Sequence, residues 1–321
     1  MLTVRFGFFR IESSLICYIL LALILPLTAQ QTIVIAPFQP SAETSDTDRP
    51  SLQIADHIQD ILVRSASITV LEREKLQVIL DEQKLAQSGL IKENEAVEAG
   101  QLIGADYVLL GSLDILKNKR FHVSLRMIDI ESGKVIKQWT ATEIPEKKIG
   151  EFEVTVAEEI VDMARQNTAL SNIVCLTNST PAFRVQLKAN SEHLVFGEML
   201  ELVAKTDSAA YLYIFDIGTS GDIHLLFPNR IQSDNYIQAG DSVRIGPLRA
   251  GPPEGVEIVK AIATRDSISL REMMDIAGTQ ATFQAYDAGA EAFSRDLELF
   301  VSPLPEARWS SAVVRLNINK K

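Results

Sequence analysis

Hydrophobic positions along the chain fall into two rhythms. As far as about residue 166, short apolar runs alternate with helical stripes. Thr32 to Phe38, TIVIAPF, is a β-branched run closed by Pro37 and predicts a buried strand. Beyond a polar loop over Gln39 to Pro50, Ile54, Ile58, Ile61 and Leu62 recur at helical spacing with Asp56, Gln59 and Asp60 on the opposite face. Ile68 to Leu71 predicts a second strand. Leu76, Ile79, Leu80 and Gln83 mark a second helix over Glu72 to Gln87, stopped by Gly89. A third helix, Glu93 to Ile103, ends at Gly104, and Asp106 to Leu116 runs on as an extended segment to a charged turn, Lys117 to Arg120. Phe121, Val123, Leu125 and Met127 then alternate with His122, Ser124 and Arg126, the pattern of a strand with one wet face. Ser132 and Gly133 turn the chain back, and Val135 to Thr142 returns antiparallel. A last helix, Glu146 to Gln166, carries Ile149, Phe152, Val156, Ile160 and Met163 on one stripe.

The second rhythm is that of a β-rich domain. Residues 167–181 contain Thr168, Ser171, Asn172, Thr177, Asn178, Ser179 and Thr180 with little periodicity, which predicts a linker open to proteolysis. From Phe183 the extended runs FRVQLKA, MLELVAK, YLYIFDIG, DIHLLFPN, SVRIG and EIVKAIAT alternate with turn signals, and Ala312 to Ile318 adds a closing strand. Only Ser267 to Asp275 and Tyr286 to Ser294 read as helical here. The fold class is therefore α+β. An α/β layer domain with a mixed sheet and flanking helices occupies residues 30–166, a linker follows over 167–181, and a β-sandwich-like domain fills 182–321.

Charge and cysteine count narrow the setting. Arg5 and Arg10 precede the apolar run Leu15 to Leu27, and Thr28 and Ala29 lead into Gln30 and Gln31, which reads as a secretory signal peptide over residues 1–29. Pro26 ends an apolar stretch of about a dozen residues, short of the roughly 20 that span a bilayer. Cys17 lies inside that run instead of at the cleavage point, so the leader is not that of a lipoprotein. Cleavage leaves only Cys175, so no internal disulfide forms, and the packed cores must supply stability. The formal charge is −11. The leader holds Arg5 and Arg10 against Glu12, a net of +1, which leaves the mature chain near −12. That balance argues against nucleic acid and against docking on anionic lipid.

Three segments in order resemble the periplasmic domain of the curli production assembly/transport family, CsgG: Leu71 to Gly89, LEREKLQVILDEQKLAQSG; Gly104 to Leu113, GADYVLLGSL; and Val123 to Ile136, VSLRMIDIESGKVI. The likeness runs from Thr32 to Gln166. Beyond it, Phe196-Gly197-Glu198, Tyr211 to Phe215, Gly221-Asp222, Leu226 to Asn229, Ala239-Gly240 and Gly255-Val256-Glu257 resemble domain of unknown function 4384, over roughly Phe183 to Thr264. The first resemblance implies an outer-envelope setting and leaves open a homo-oligomer built through the α/β domain; the second implies a fold and no chemistry. Each subunit of the channel family contributes two membrane hairpins. Here only Asp114 to His122 separates Gly111-Ser112-Leu113 from Val123-Ser124-Leu125, and Trp139-Thr140 leads directly towards a helix, so neither hairpin is present. No constriction or lipid-anchor residue of that family has a counterpart position.

Candidate chemistry is sparse. GxGxxG, phosphate-loop, GxSxG and HExxH motifs are absent. His57, His122, His193 and His224 lie in separate elements without metal-ligand spacing and read as surface or edge residues. Asp216, Ser220 and Asp222 in DIGTSGD could hold a hard cation such as calcium, but Gly218 and Gly221 suit a hairpin turn better. Glu72-Arg73-Glu74-Lys75 begins a helix, where acidic residues favour the macrodipole and the cations are solvated partners. Cys175, in Ile173-Val174-Cys175-Leu176, reads as a buried small hydrophobe or a linker residue. Tyr211, Tyr213 and Phe215 alternate on one strand face, as core packing or as an aromatic platform.

These readings predict a periplasmic protein peripheral to the outer membrane, without catalytic, cofactor or metal residues. It would bind envelope proteins as an accessory of an assembly or secretion system of the curli type. The alternatives are a subunit of an outer-membrane pore, a regulator of cell-wall synthesis, and an enzyme of unrecognised type. The exported protein is expected to begin close to Gln30, and an intact mass that retains Met1 would contradict the leader.

Overall fold

In the computed structural model the N-terminal half is built from β1 (Gln31–Ile35), β2 (Gln39–Pro40), α1 (Asp48–Val63), β3 (Ile68–Leu71), α2 (Arg73–Glu82), α3 (Glu93–Ile103), β4 (Tyr107–Leu116), β5 (Arg120–Asp129), β6 (Lys134–Pro145) and α4 (Ile149–Cys175). The structure describes residues 30–36, 38–40, 48–82, 93–116, 120–267 and 281–320. The leader over 1–29, the turn at 117–119, the end of the second predicted helix and nearly all of the helix expected at 267–275 lie outside them.

The strands form a mixed sheet in the order β3-β1-β4-β5-β6. The first three are parallel, the last three an antiparallel meander, and β2 pairs with the far end of β4. The unbroken apolar runs of β1 and β4 are explained by helices on both faces. Ile33, Ile35, Leu109 and Leu113 meet α1 and α4 through Ile54, Ile58, Val156 and Ile160. Val34, Val108 and Leu110 meet α2 and α3 through Leu76, Leu80, Ala96 and Ala99. Gly111 of β4 lets the layers approach this closely: an added Cβ would stand 2.4 Å from Phe38 and 2.7 Å from Leu125.

Helix α4 corrects the linker reading. It continues past Gln166 to Cys175, so much of 167–181 is helical. The reason is a change of partner. Val156, Ala157, Ile160, Val161 and Ala164 form one buried stripe, but the next buried residues are Ala169 and Ile173. A step of five residues turns the buried face by roughly 140°. The polar residues Asn167, Thr168, Ser171 and Asn172 fall around this rotation and erase the periodicity. The chain beyond the helix is tied down as well, since Asn178 Nδ2 donates to Trp309 O at 2.7 Å. The backbone over 167–175 is thus helical and docked, in contrast to the open linker expected there.

The C-terminal half comprises β7 (Val185–Ala189), β8 (His193–Val195), β9 (Met199–Thr206), β10 (Ala210–Ile217), β11 (Ile223–Phe227), β12 (Tyr236–Ile237), β13 (Ser242–Arg249), β14 (Gly255–Thr264), β15 (Gln284–Tyr286), α5 (Gly289–Val301) and β16 (Trp309–Asn319). A large sheet, β15-β11-β10-β14-β16-β8 with β12 beside β10, faces a three-stranded sheet, β13-β9-β7. The predicted sandwich is present, its core built from Leu202, Ala204, Leu212, Ile214, Val259, Ala261 and Leu316. A third layer was not foreseen: Tyr213, Phe215, Ile258 and Ile262, on the outer face of the large sheet, pack under Phe293 and Leu297 of α5 and Ala169 and Ile173 of α4. Helix α5 starts at Gly289 and runs beyond Ser294, because Leu297 and Val301 continue its buried stripe between Arg295, Asp296 and Glu298.

A buried lysine lies in that third layer. Lys260, in the middle of β14, is fully buried. Its Nζ donates to Leu176 O at 2.6 Å and to Val174 O at 3.3 Å, and Ser311 Oγ donates to Leu176 O at 3.1 Å. The ammonium thus meets the negative end of the α4 dipole, where its last carbonyls lack helical partners. Burial still pushes the amine down to about 8, with the nearby Cys175 acting in the opposite direction.

Two outcomes are expected. Gly111→Ala should lower unfolding free energy by about 1–3 kcal/mol, measured by urea denaturation, because neither Phe38 nor Leu125 has room to withdraw. Between about pH 8 and the ordinary lysine value the folded Lys260 has released a proton that the unfolded chain still holds, so stability should rise with pH there. The rise should be on the order of 3 kcal/mol at most, and Lys260→Met should remove it when thermal unfolding is followed from pH 7.5 to 10.

Candidate functional site

The side chains singled out from the sequence are dispersed. His57 pairs through Nδ1 with the buried Glu153 of α4 and joins α1 to that helix. His122 Nδ1 lies 3.2 Å from Thr142 Oγ1 on the neighbouring strand, and His193 is exposed at the start of β8. No group of three or more His, Cys, Asp or Glu that could hold a metal occurs among the described residues. The start of α2 is only partly a solvated cluster: Lys75 pairs with Glu72 at 3.3 Å, but Arg73 is largely buried and reaches across to Asp56 of α1 at 2.8 Å. Cys175 is exposed at the last turn of α4, which corrects its reading as a buried hydrophobe.

The aromatic alternation on β10 is core packing. Tyr213 and Phe215 are buried, and the Phe215 ring meets Phe293 edge-on at 5.1 Å. DIGTSGD is a hairpin turn between β10 and β11. Gly218 N donates to Asp222 O at 2.8 Å, Gly221 takes a positive φ of 86°, and Ser220 Oγ donates to Asp222 Oδ2 at 2.6 Å. Ser220 and Asp222 are thus engaged with each other at the tip.

The sequence singles out Asp216 with Ser220 and Asp222 as a candidate cation group, but not its partner across the sheet, Glu257. Asp216 stands opposite His224 of β11 and Val259 of β14, and Glu257 lies two residues from Val259 on the same face. Burial pushes Asp216 up to about 7, with Glu257 adding its charge, and burial raises Glu257 too. Two carboxyls this close, with burial opposing ionisation, retain a proton near neutral pH. The signal lay in EIVKAIAT and YLYIFDIG, runs too apolar for a strand with a wet face. In a sheet covered on both faces, any charge inside such a run has to be neutralised or tied to backbone.

One face of the meander β4-β5-β6 is polar towards the tip of the β4-β5 hairpin. Cross-strand neighbours Ser112 and Ser124, Asp114 and His122, Ser124 and Thr140, and Arg126 and Gln138 stand on it. Arg126 pairs with Glu93 of α3 at its inner end. The opposite face, with Phe121, Val123, Leu125, Met127 and Trp139, belongs to the core. Among the described residues no helix is long and apolar enough to cross a membrane.

No curated protein matches the chain. Among solved structures it is similar to the LpoB C-terminal domain from Escherichia coli, at 15% identity and a TM-score of 0.28, covering 36% of this chain and 83% of that one. It is similar to the PelC dodecamer from Paraburkholderia phytofirmans at 13% identity and 0.26, covering 43% and 88%. TolB from Acinetobacter baumannii matches at 13% identity and 0.29, covering 74% and 55%. Likenesses this distant carry no function across. The family matches are more direct and fall in the order that the sequence motifs indicated. Residues 28–120 match curli production assembly/transport component CsgG and residues 193–267 match domain of unknown function DUF4384, so the chain joins a CsgG-like region to a DUF4384-like region.

Proposed function

We propose that this is a non-catalytic protein that works by binding partners in the periplasm, peripheral to the outer membrane, as an accessory of an envelope assembly or secretion system. The observation that carries this reading is the polar face of the meander. A strand that crosses lipid must present it with an apolar row and pair every amide inside a closed barrel. In β4, β5 and β6 one row is spent on the core; on the other, Val108, Leu110 and Ile128 are covered by α2 and α3 and the rest is polar, with Ser112, Asp114, His122, Ser124, Arg126, Gln138 and Thr140. The meander suits a place beside a membrane, with β3 and β6 ending the sheet where a second copy or another envelope protein could pair.

The purified mature protein is expected neither to conduct ions across planar bilayers nor to float with liposomes. Cross-linked envelopes should instead yield it bound to other envelope proteins. Stepwise channels that disappear when Asp114 to His122 is replaced by a short glycine turn would overturn the reading in favour of a pore subunit.

A further inference from the structure

The three-stranded sheet turns its inner face to the sandwich core and leaves its outer face open. On that open face Val203 of β9 lies in register between Lys188 of β7 and Arg244 of β13, and Lys205, two residues along β9, stands beside Gln186. Together they border a cleft of about 390 Å³ in which Glu201 is the single carboxylate. Several cations elsewhere are matched, among them Arg73 with Asp56, Arg126 with Glu93, Lys137 with Glu159 and Arg308 with Asp266. Lys188, Lys205 and Arg244 form no ion pair among the described residues. In a chain of net charge −11, three unmatched cations around one half-buried valine form a local reversal of sign.

We propose that this face docks an extended acidic peptide segment of a partner protein, its alternate carboxylates held by Lys188 and Arg244 in one row and by Lys205 in the next. The spacing supports that occupant. Neighbouring strands lie about 4.8 Å apart and alternate residues about 6.8 Å apart, so the cations spread over roughly 7 by 10 Å. One phosphate is too small to meet all three, whereas carboxylates at alternate positions of an extended peptide repeat at the same 6.8 Å or so. Arg244 has the planar fork that takes a carboxylate through two hydrogen bonds. A membrane fits less well, since lipid-binding clusters gather about four to eight cations and this face has three with Glu201 among them. No aromatic side chain lines the cleft, so it offers nothing on which a nucleobase would stack. Glu201 would repel a carboxylate but accept a peptide amide, which favours a peptide backbone over a second acidic side chain beside it.

The inference rests on the proposed reading of a partner-binding protein and supplies its site and the chemistry of the partner. The test is fluorescence anisotropy of the purified protein with a labelled peptide Gly-Glu-Val-Glu-Val-Glu-Gly at low salt. Its counterpart with Gln for Glu, inorganic phosphate as competitor and phosphatidylglycerol vesicles serve as the other arms. The acidic peptide should bind at least tenfold more tightly than the Gln peptide and weaken with added salt. The triple variant Lys188→Gln, Lys205→Gln, Arg244→Gln should lose at least tenfold while its thermal midpoint holds. If the triple variant fails to fold, Arg244→Gln alone should still lose about threefold. Equal binding of the two peptides, or acidic-peptide binding that ignores these substitutions, would overturn the proposal. Vesicle or phosphate binding that needs the three cations and displaces the peptide would assign the face to those ligands instead. Failure of peptide binding would leave the bilayer and cross-linking outcomes standing, so the two readings fail separately.

Discussion

A lysine without access to water has to find carbonyl oxygens, and in this molecule those oxygens end a helix that begins in the other half of the chain. Lys260 is held by Leu176 and Val174, and Ser311 completes the coordination of Leu176. An unpaired ammonium at this depth would be very costly. The large sheet is therefore secure in this form only while the end of α4 lies against it, and α4 in turn packs its earlier turns on the N-terminal sheet. Apolar contacts between Ala169, Ile173, Tyr213 and Phe293 give the junction its area, and the lysine gives it a single register.

Much of the N-terminal fold was legible because its burial is periodic. Ile54, Ile58 and Leu62 on α1, and Phe121, Val123, Leu125 and Met127 on β5, each face one partner along their whole length, so spacing alone reports the element. Helix α4 defeated that logic where its partner changes, between Ala164 and Ala169, since a stripe that rotates looks like no stripe at all. Helix α5 was cut short for a related reason, its charged outer face masking Leu297 and Val301.

Sites were less legible than elements. Lys260 stands as one basic residue in an apolar run, and although the run implies a strand covered on both faces, it does not say which carbonyls will meet the charge. The cationic face was invisible for another reason: Lys188, Lys205 and Arg244 come from three strands, and only the register that sets Val203 between two of them makes a cluster. Conversely, the histidines, DIGTSGD and the Glu72 to Lys75 group were conspicuous in the sequence yet are engaged in turns and pairs that suffice to explain them.

Helix α4 also bears on whether the two halves of the chain can be separated. The CsgG match ends at residue 120 and the DUF4384 match begins at 193, so α4 lies outside both matched spans, in the interval between them. Were the modules freely interchangeable, that interval would be the loosest part of the chain; instead it holds a helix of 27 residues, about 40 Å long. A DUF4384 region transplanted without this helix would carry Lys260 uncapped and Tyr213 and Phe215 less well covered, a surface prone to self-association. The helix therefore belongs, by its packing, to the C-terminal half as much as to the N-terminal one.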